Sequence, residues 1–323
     1  MEVLAYLYDA EGNDKKIELG AKVLEGLNDK QLLWINILVR DRNVIERVAE
    51  TLGLENIPIE GILRIAERPK VFKYKDFYHF FIVSVDVDEN GKLFPIPIDY
   101  LVGKNYVITV HDGDVKYLQE FGKRKKGENN IGELDAESFV GTMLDLHIVS
   151  YFRVLEDIEE AVDKMDDEIL QKDLRDEDFL KQMVRLRGDV SKLRRWFCPH
   201  RDVFYALSRP DFRRIAETDA AEMFQMLNQH FETAVNAIET SRDTVLSLFD
   251  FYTTKTSHRM NNTMKRLTFI TLMVGGMGVV AGVLGMNFEE EFFKNSVGFW
   301  IALGLMIFTS GALTLLAWKK NWI

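Results

Sequence analysis

The chain has 323 residues and carries 41 lysines plus arginines against 51 aspartates plus glutamates, a formal net charge of −10. Hydrophobic residues make up 47% of it and charged residues 28%, proportions that exclude a largely disordered, collagen-like or low-complexity protein. The single cysteine, Cys198, excludes an intramolecular disulfide framework and a zinc site built on a Cys-x-x-Cys pair.

The first 132 residues alternate between strand and helix patterns, which predicts an α/β domain. An uninterrupted apolar run is typical of a buried strand, and apolar residues three and four apart are typical of a helix. Asp88-Glu89-Asn90-Gly91 has the composition of a tight turn between two strands. The predicted elements are a strand at 32–39, a helix at 41–52, a hairpin formed by 77–87 and 92–102, and a strand at 106–110.

A basic run, Lys123-Arg124-Lys125-Lys126, lies near the end of this domain, and its neighbouring glycines predict a solvated loop. Binding of nucleic acid through this run is the alternative. Because the chain as a whole is acidic, we expect no nucleic-acid partner.

From residue 133 the pattern is helical, and residues 133–210 are predicted to form a pair of antiparallel helices that turn near residues 173–178. Residues 128–178 carry 17 acidic side chains against 4 basic ones, whereas the second helix of the pair is rich in arginine. We expect these opposite charges to face each other. The alternative is that the acidic helix concentrates divalent cations, because carboxylates are ligands for such ions.

Three residues predict where the helices break. Pro199 is expected to kink or break a helix and Pro210 to end one, because the residue before a proline is disfavoured in the helical region. Asp211 is then a suitable N-cap for a long stalk helix over 211–266, and no proline occurs between it and Asn287. A helix of that length is not stable alone, so we expect it to be bundled or part of an oligomer.

Two stretches near the C-terminal end contain no charged residue: 267–288 and 297–318, each 22 residues long. About 20 helical residues cross the hydrocarbon core of a bilayer, so each stretch is long enough to span it. The alternative is a pair of buried core helices. Basic residues flank the stretches on their outer sides, including the tail 319–323, and an acidic loop, 289–296, joins them. The positive-inside rule then places both termini in the cytoplasm and the loop outside the cell membrane.

One side of the first span, and of the stalk before it, carries small and polar residues at a spacing of three and four. Small residues at such a spacing allow helices to approach closely, and Gly278-x-x-x-Gly282 fits this packing motif. The second interpretation is that a ring of subunits lines a water-filled pore with this stripe, since two spans are too few to enclose one. The stripe consists of Asp250, Ser257, Asn261, Met264, Leu267, Thr268, Thr271, Gly275, Gly278 and Gly282.

The triplet Gly285-Met286-Asn287 ends the first span, before the acidic loop and a second span that is followed by Lys319-Lys320-Asn321-Trp322. This arrangement resembles the CorA family of magnesium channels. The resemblance extends to Trp34-Ile35-Asn36-Ile37, Arg68-Pro69-Lys70 and residues 101–111, and it covers nearly the whole chain. The loop departs from the family, since it lacks the Met-Pro-Glu-Leu stretch that often occurs there.

The resemblance implies a funnel-shaped homopentamer in the cell membrane that conducts Mg²⁺ inward, driven by the membrane potential, with Co²⁺ and Ni²⁺ as further candidate ions. Gly285, Met286 and Asn287 would form the selectivity filter, in which Asn287 binds hydrated Mg²⁺. Asp250 would form a ring of carboxylates that also binds the metal. The remaining implied residues are Asn261, Met264, Leu267, Thr271, Gly275 and Gly278 for the pore and its gate, and Glu289, Glu290 and Glu291 for external attraction of cations.

We expect no cofactor other than the transported Mg²⁺ and a regulatory Mg²⁺. The family senses cytoplasmic Mg²⁺ at acidic sites between subunits, but residues 225–229, where such a site is expected, are amides, methionine and leucine. The acidic residues that would form the regulatory site in place of 225–229 are Glu222, Glu232 and Asp243.

Two other functions stay open. One is a transporter for zinc or another transition metal of the same family, although the six histidines form no i,i+4 pair and no cluster with Cys198. The other is a pore-less, membrane-anchored sensor or scaffold. We do not expect an enzyme, because no Gly-Lys pair is followed by Ser or Thr as in a phosphate-binding loop, and neither a HExxH nor a GxSxG motif occurs.

Overall fold

The computed structural model describes residues 2–10, 14–20, 23–28, 30–64, 68–123, 135–171, 177–286 and 296–320. The chain divides into two compact units, Met1–Leu246 and Ser247–Ile323. Three residues of the basic run, Arg124-Lys125-Lys126, lie outside the described residues, whereas Lys123 ends a helix. Of the turn predicted near 173–178, residues 173–176 also lie outside them, and Glu177 and Asp178 already belong to the second helix of the pair.

The described residues of the first unit contain a seven-stranded sheet. Its strands are β1 (Val3–Asp9), β2 (Lys15–Ile17), β3 (Gln31–Ile37), β4 (Val71–Lys73), β5 (Tyr78–Val87), β6 (Leu93–Val102) and β7 (Tyr106–His111). They lie in the order β2-β1-β3-β7-β6-β5-β4. β3 and β7 pair in parallel, whereas the other neighbours are antiparallel. These two central strands are almost entirely buried, which explains their uninterrupted apolar runs.

The structure contains the predicted hairpin as β5 and β6, which pair from Tyr78 opposite Val102 to Val87 opposite Leu93. The carboxylate of Asp88 accepts hydrogen bonds from the backbone N–H groups of Asn90 (2.9 Å) and Lys92 (2.8 Å). Gly91 has φ +69°, a left-handed conformation that glycine adopts without a steric penalty. The turn chemistry of these four residues therefore sets the register of the two strands.

Two short helices pack beside the sheet and one follows its last strand: α1 (Arg42–Leu52), α2 (Ile59–Leu63) and α3 (Lys116–Lys123). The side chain of Asp41 caps α1 by accepting a hydrogen bond from the N–H of Val44 at 3.2 Å. Gly53, at φ +65°, ends the same helix in the left-handed conformation. The helix predicted from residue 41 thus has capping residues at both ends.

The helical part of the chain comprises α4 (Ala136–Gln171), α5 (Glu177–Phe197), α6 (Arg201–Ser208), α7 (Arg213–Ala216), α8 (Ala220–Leu284) and α9 (Ser296–Lys319). A 3₁₀ turn at Cys198–His200 separates α5 from α6, where Pro199 predicted a break. α6 ends two residues before Pro210, as the proline predicted.

The long helix does not begin at residue 211 but at Ala220. Asp211 does not cap it, because both of its carboxylate oxygens bond to the guanidinium group of Arg209 at 2.7 Å. Phe212 is 2% exposed and its ring meets that of Tyr78 edge-on at 5.2 Å. Phe212 is therefore held in the core of the first unit, and the short helix α7 lies between it and the long helix.

The first part of α8 is buried in the first unit along one face, with Phe224, Leu227, Phe231, Ala234 and Ile238 all at most 4% exposed. The ring of Phe231 lies 4.8 Å from Phe197 and 4.5 Å from Phe204. The 3–4 residue spacing of these side chains is that of one helix stripe packed on a core.

The second unit contains the rest of α8 and all of α9. Both helices are long and apolar enough to cross a membrane, with mean hydropathies of 1.7 and 2.0 over their most apolar 18 residues. None of the residues in either 18-residue window is buried by the rest of the chain. Two soluble core helices, the alternative considered from the sequence, would be covered by protein, which these are not.

Candidate functional site

The side of α8 with the predicted pore stripe is uncovered in the single chain. Large apolar members of the stripe are more than half exposed, Met264 at 55% and Leu267 at 56%. The remaining stripe residues named for the pore are also exposed: Asp250, Asn261, Thr271, Gly275 and Gly278.

The opposite side of α8 is partly covered. Phe269, Met273 and Val280 are half-buried, and at 100° per residue they lie about half a turn from Thr271. α9 carries a matching row at a spacing of three and four, with Met306, Ser310 and Leu313 half-buried and Ala317 4% exposed. Such rows are the pattern of two packed helices. The half-buried row of α8 lies on the side opposite the polar stripe, so the stripe stays uncovered in the single chain.

Local chemistry suits the stripe to water and hydrated ions. The hydroxyl group of Thr271 donates to the carbonyl oxygen of Leu267 at 2.9 Å, so its oxygen lone pairs face outward as acceptors. A Cβ atom at Gly275 or Gly278 would meet no atom within 4 Å, so these positions expose backbone beside open space. Met264 and Leu267 precede them as bulky apolar side chains, which is the chemistry of a hydrophobic constriction.

The end of α8 positions the first two residues of the Gly285-Met286-Asn287 triplet. The N–H of Gly285 donates to the carbonyl oxygen of Ala281 at 2.9 Å, and the N–H of Met286 donates to that of Val283 at 3.3 Å. The last carbonyl groups of a helix carry a partial negative charge, which favours a cation nearby. Met286 is 60% exposed. Asn287 and the three loop glutamates, Glu289, Glu290 and Glu291, lie outside the described residues.

The acidic residues considered for a regulatory site differ in their environment. Both carboxylate oxygens of Glu232 accept hydrogen bonds from Arg201 at 2.8 Å, and Asp243 pairs with Arg242 at 3.1 Å. Glu222 lines a groove of about 590 Å³ between α4 and α8, together with Asp145, Asp219 and His230. Among the described residues, no three His, Cys, Asp or Glu side chains are placed to hold a metal ion. A regulatory Mg²⁺ therefore stays a prediction.

The contact between α4 and α5 differs from the predicted meeting of an acidic and a basic helix. The groove between them, about 320 Å³, is lined by Lys164 and Glu168 from α4 and by Arg185 and Asp189 from α5. Each helix thus contributes charges of both signs. Basic residues further along pair with α8 instead, as in Arg194 with Glu239 and Arg201 with Glu232.

A buried charged cluster in the sheet was not among the residues singled out from the sequence. The carboxylate of Asp99 accepts from Arg40 and lies 2.6 Å from Nε2 of His79, and the side chains of all three residues are at most 5% exposed. Arg40 also donates to the backbone carbonyl of Ile62 at 2.6 Å. The one sequence signal was an aspartate in the middle of an apolar strand, and such burial requires a charged partner.

These observations define a class of protein: a membrane protein with an α/β unit, a helix that continues from this unit into an apolar stretch, and a second apolar helix after it. The chain belongs to the CorA family, since the family described as CorA-like Mg2+ transporter protein matches residues 29–318. The resemblance noted in the sequence is thereby confirmed, as is the fold class of an α/β domain followed by long helices and two apolar C-terminal helices.

Three relatives support the assignment over nearly full length. The cobalt/magnesium transport protein CorA of Thermotoga maritima is 26% identical over 296 residues, which is 90% of this chain and 83% of that protein. The divalent cation transporter CmaX of Pseudomonas aeruginosa is 24% identical over 93% of this chain and 90% of its own. The complete structure of the CorA magnesium transporter from Methanocaldococcus jannaschii has the same fold, with a TM-score of 0.82 at 20% identity, covering 100% of this chain and 99% of that one.

Proposed function

We propose that this chain forms a homopentameric channel that conducts Mg²⁺ into the cytoplasm, with both termini on the cytoplasmic side. The observation that carries the proposal is the uncovered stripe of polar and small residues on α8, which leads directly to Gly285 and Met286. The names of the relatives, which include magnesium, cobalt and divalent cation transport, support the class of substrate.

The surface of α8 supports a ring of subunits. Within the span, an exposed hydroxyl such as Thr271 is costly against lipid, because hydrocarbon offers no hydrogen bonds to its free lone pairs. The half-buried side of α8 is the one opposite the stripe, so the same chain does not shield the stripe. In a ring of copies around a central axis, every stripe faces the water-filled pore and every α9 faces the lipid.

The proposed path gives each residue type a physical task. Mg²⁺ releases its water reluctantly, so five Asn287 side chains hold it through its hydration shell. Neutral amides bind the ion weakly enough for it to leave again, whereas five carboxylates would retain it. Met264 and Leu267 close the pore by excluding water, and Asp250 binds the ion on the cytoplasmic side.

The membrane potential supplies the driving force. One elementary charge gains about 2.3 kcal/mol per 100 mV, so a divalent ion gains about 4.6 kcal/mol on entry. Transport inward therefore needs no nucleotide hydrolysis. Glu289, Glu290 and Glu291 raise the local concentration of cations at the external mouth through their field.

The test is Mg²⁺ influx into proteoliposomes of the purified protein under an inside-negative potential, followed with an internal Mg²⁺ dye. Replacement of Asn287 by Ala is expected to abolish influx while the oligomer stays intact. Asn261→Ala is expected to reduce influx. The matched control is Asn262→Ala, since Asn262 is also exposed but lies about half a turn from Thr271, and influx through this variant should stay unchanged.

Other outcomes decide among the alternatives. Influx of Zn²⁺ without Mg²⁺, measured in parallel with Co²⁺ and Ni²⁺, would replace the proposal with a transition-metal transporter. Absence of flux for every ion from a folded oligomer would favour the pore-less sensor or scaffold. Unchanged influx in the Asn287→Ala protein would contradict the filter assignment alone.

A further inference from the structure

A cavity of about 210 Å³ in the first unit is separate from every residue assigned to ion transport. Its floor is one face of the sheet, where Leu4, Tyr6, Trp34 and Asn36 point to the same side, and its wall is α3 with Leu118, Gln119 and Gly122. This volume is smaller than that of sites for drug-sized molecules, so it admits a single small ring system.

The floor of the cavity contains a chain of buried polar groups. Oδ1 of Asn36 accepts hydrogen bonds from the hydroxyl of Thr109 (2.8 Å) and from Nε2 of His111 (2.9 Å). The hydroxyl of Thr109 accepts from Nε1 of Trp34 at 3.0 Å. All four side chains are at most 4% exposed. The two donors fix the orientation of the Asn36 carboxamide and direct its oxygen into the protein.

The amino group of the same carboxamide is left open. Among the described residues, Nδ2 of Asn36 donates to no acceptor. The same atom is not among the fully buried side-chain atoms that lack a hydrogen-bond partner, so it is accessible to solvent. Since Asn36 is only 4% exposed and lines the cavity, the cavity is the space that this amino group faces. An unpaired amide at such a position costs free energy unless a ligand or water supplies an acceptor.

His111 closes the floor beside Asn36. Burial lowers the pKa of His111 to about 4, so the ring is neutral at neutral pH and Nε2 carries the proton that it donates to Asn36. The network is thus uncharged. Of the described residues that line the cavity, Asp114 is the charged one, and it is exposed at the rim. With no positively charged side chain in that lining, the cavity disfavours phosphate and carboxylate groups.

Aromatic surface and a glycine shape the rest of the space. The rings of Tyr6 and Trp34 stack with centroids 5.3 Å apart, and both border the cavity. A Cβ atom at Gly122 would lie 3.3 Å from Trp34 Cζ3 and 3.9 Å from Tyr6 Cζ, so any larger residue there would crowd the rings. Flat apolar walls beside a fixed hydrogen-bond donor suit a planar ligand.

We propose that this cavity binds an uncharged nitrogen heterocycle of nucleobase size. A ring nitrogen or carbonyl of the ligand accepts from Nδ2 of Asn36, and an amino group of the ligand donates to Asp114. The planar body lies along Tyr6, Leu38 and Trp34. The site does not depend on the proposed transport function.

The experiment is calorimetric titration of adenine, cytosine and adenosine monophosphate into the full-length protein in detergent. Adenine or cytosine is expected to bind once per chain, and the monophosphate more weakly than adenine. Asn36→Leu is expected to weaken binding about fivefold or more, the cost of one net hydrogen bond. Asn43→Leu is the matched control, because Asn43 is exposed on α1 and does not line the cavity, and its affinity should equal that of the unchanged protein.

A second variant guards against misfolding of the first. Leu38→Trp fills the cavity without altering the polar network and is expected to abolish binding, with thermal unfolding as the check on folding. Absence of binding by both adenine and cytosine would overturn the proposal. So would equal affinity in the Asn36→Leu protein, undiminished affinity in a folded Leu38→Trp protein, or tighter binding of the monophosphate than of adenine.

Discussion

The two parts of α8 are one continuous helix in opposite surroundings. In the first part, Phe224, Phe231 and Ile238 are at most 1% exposed. In the second part, Val274 and Val279 are 66% and 68% exposed. The first part is stabilised by contacts within its own chain, whereas the apolar side chains of the second part need a lipid environment to cover them. Helical structure alone therefore does not tell which partner a helix face has.

The largest expected effect separates these two parts directly. Phe231→Ala removes a ring packed on Phe197 and Phe204 and should lower the free energy of unfolding of the first unit by about 3–5 kcal/mol. Val279→Ala removes a side chain that no part of the chain buries, and it should change the same quantity by less than about 0.5 kcal/mol. Urea unfolding in detergent, followed by near-UV circular dichroism, measures both. Equal losses would contradict the comparison.

Next in size is the buried ion pair. Asp99→Asn leaves the guanidinium of Arg40 buried without its counter-charge, which should cost about 3 kcal/mol or more. The same urea experiment applies. At low urea, the far-UV circular dichroism signal of the sheet should be unchanged. A loss below about 1 kcal/mol would mean that Arg40 finds another acceptor, such as the carbonyl groups of Ile62 and Val110 to which it already donates.

The pH dependence of stability offers a third test of the comparison. The first unit contains ionisable side chains, whereas the apolar stretch of α8 from residue 267 contains none. Burial raises the pKa of Glu137 to about 7. Its folded-state pKa lies above the unfolded value, so its contribution to stability is present below about pH 4.5 and is lost as the pH rises through 7. Glu137→Gln should therefore raise the stability by roughly 2 kcal/mol at pH 8 and leave it nearly unchanged at pH 5.

Thermal unfolding at the two pH values checks the prediction for Glu137. An increase of the same size at both would mean that the glutamine packs better, without any role for the proton. No change at pH 8 would show that the carboxyl group reaches solvent when it ionises.

The smallest effect is expected at the surface. Glu232→Gln breaks the pair with Arg201, whose side chain is 53% exposed, and should cost less than about 1 kcal/mol, a loss that shrinks further in salt. Asp99→Asn under the same conditions provides the contrast with a buried pair. A large cost at Glu232 would indicate that this carboxylate has a partner beyond the single chain.

Local chemistry determined which elements could be predicted. The apolar run of β3, the turn residues between β5 and β6, and Pro199 each act over a few neighbouring positions, and each predicted feature is present in the structure. The uncharged lengths of the two C-terminal stretches predicted their helices in the same way. The polar stripe was predictable as a surface because helical periodicity alone defines it.

Features that depend on distant contacts were not predictable. The parallel pairing of β3 with β7 joins residues about 70 positions apart, and nothing local specifies it. α8 starts nine residues after Asp211, beyond a segment in which Phe212 packs on Tyr78, and no helix-capping rule includes such a tertiary contact. Asn36 lies in a stretch that resembles the family. The orientation of its carboxamide, which leaves the amino group without a partner, is set by hydrogen bonds from Thr109 and His111 on another strand, and the sequence does not show these.

The order of the two units along the chain has a consequence for biosynthesis. Residues 1–246 leave the ribosome before the exposed apolar part of α8, and at 5–20 residues per second their synthesis takes roughly 10–50 s. Small folded units commonly form faster than this. The nascent sheet unit therefore has time to acquire its core before the first lipid-facing segment emerges, which limits aggregation ahead of membrane delivery.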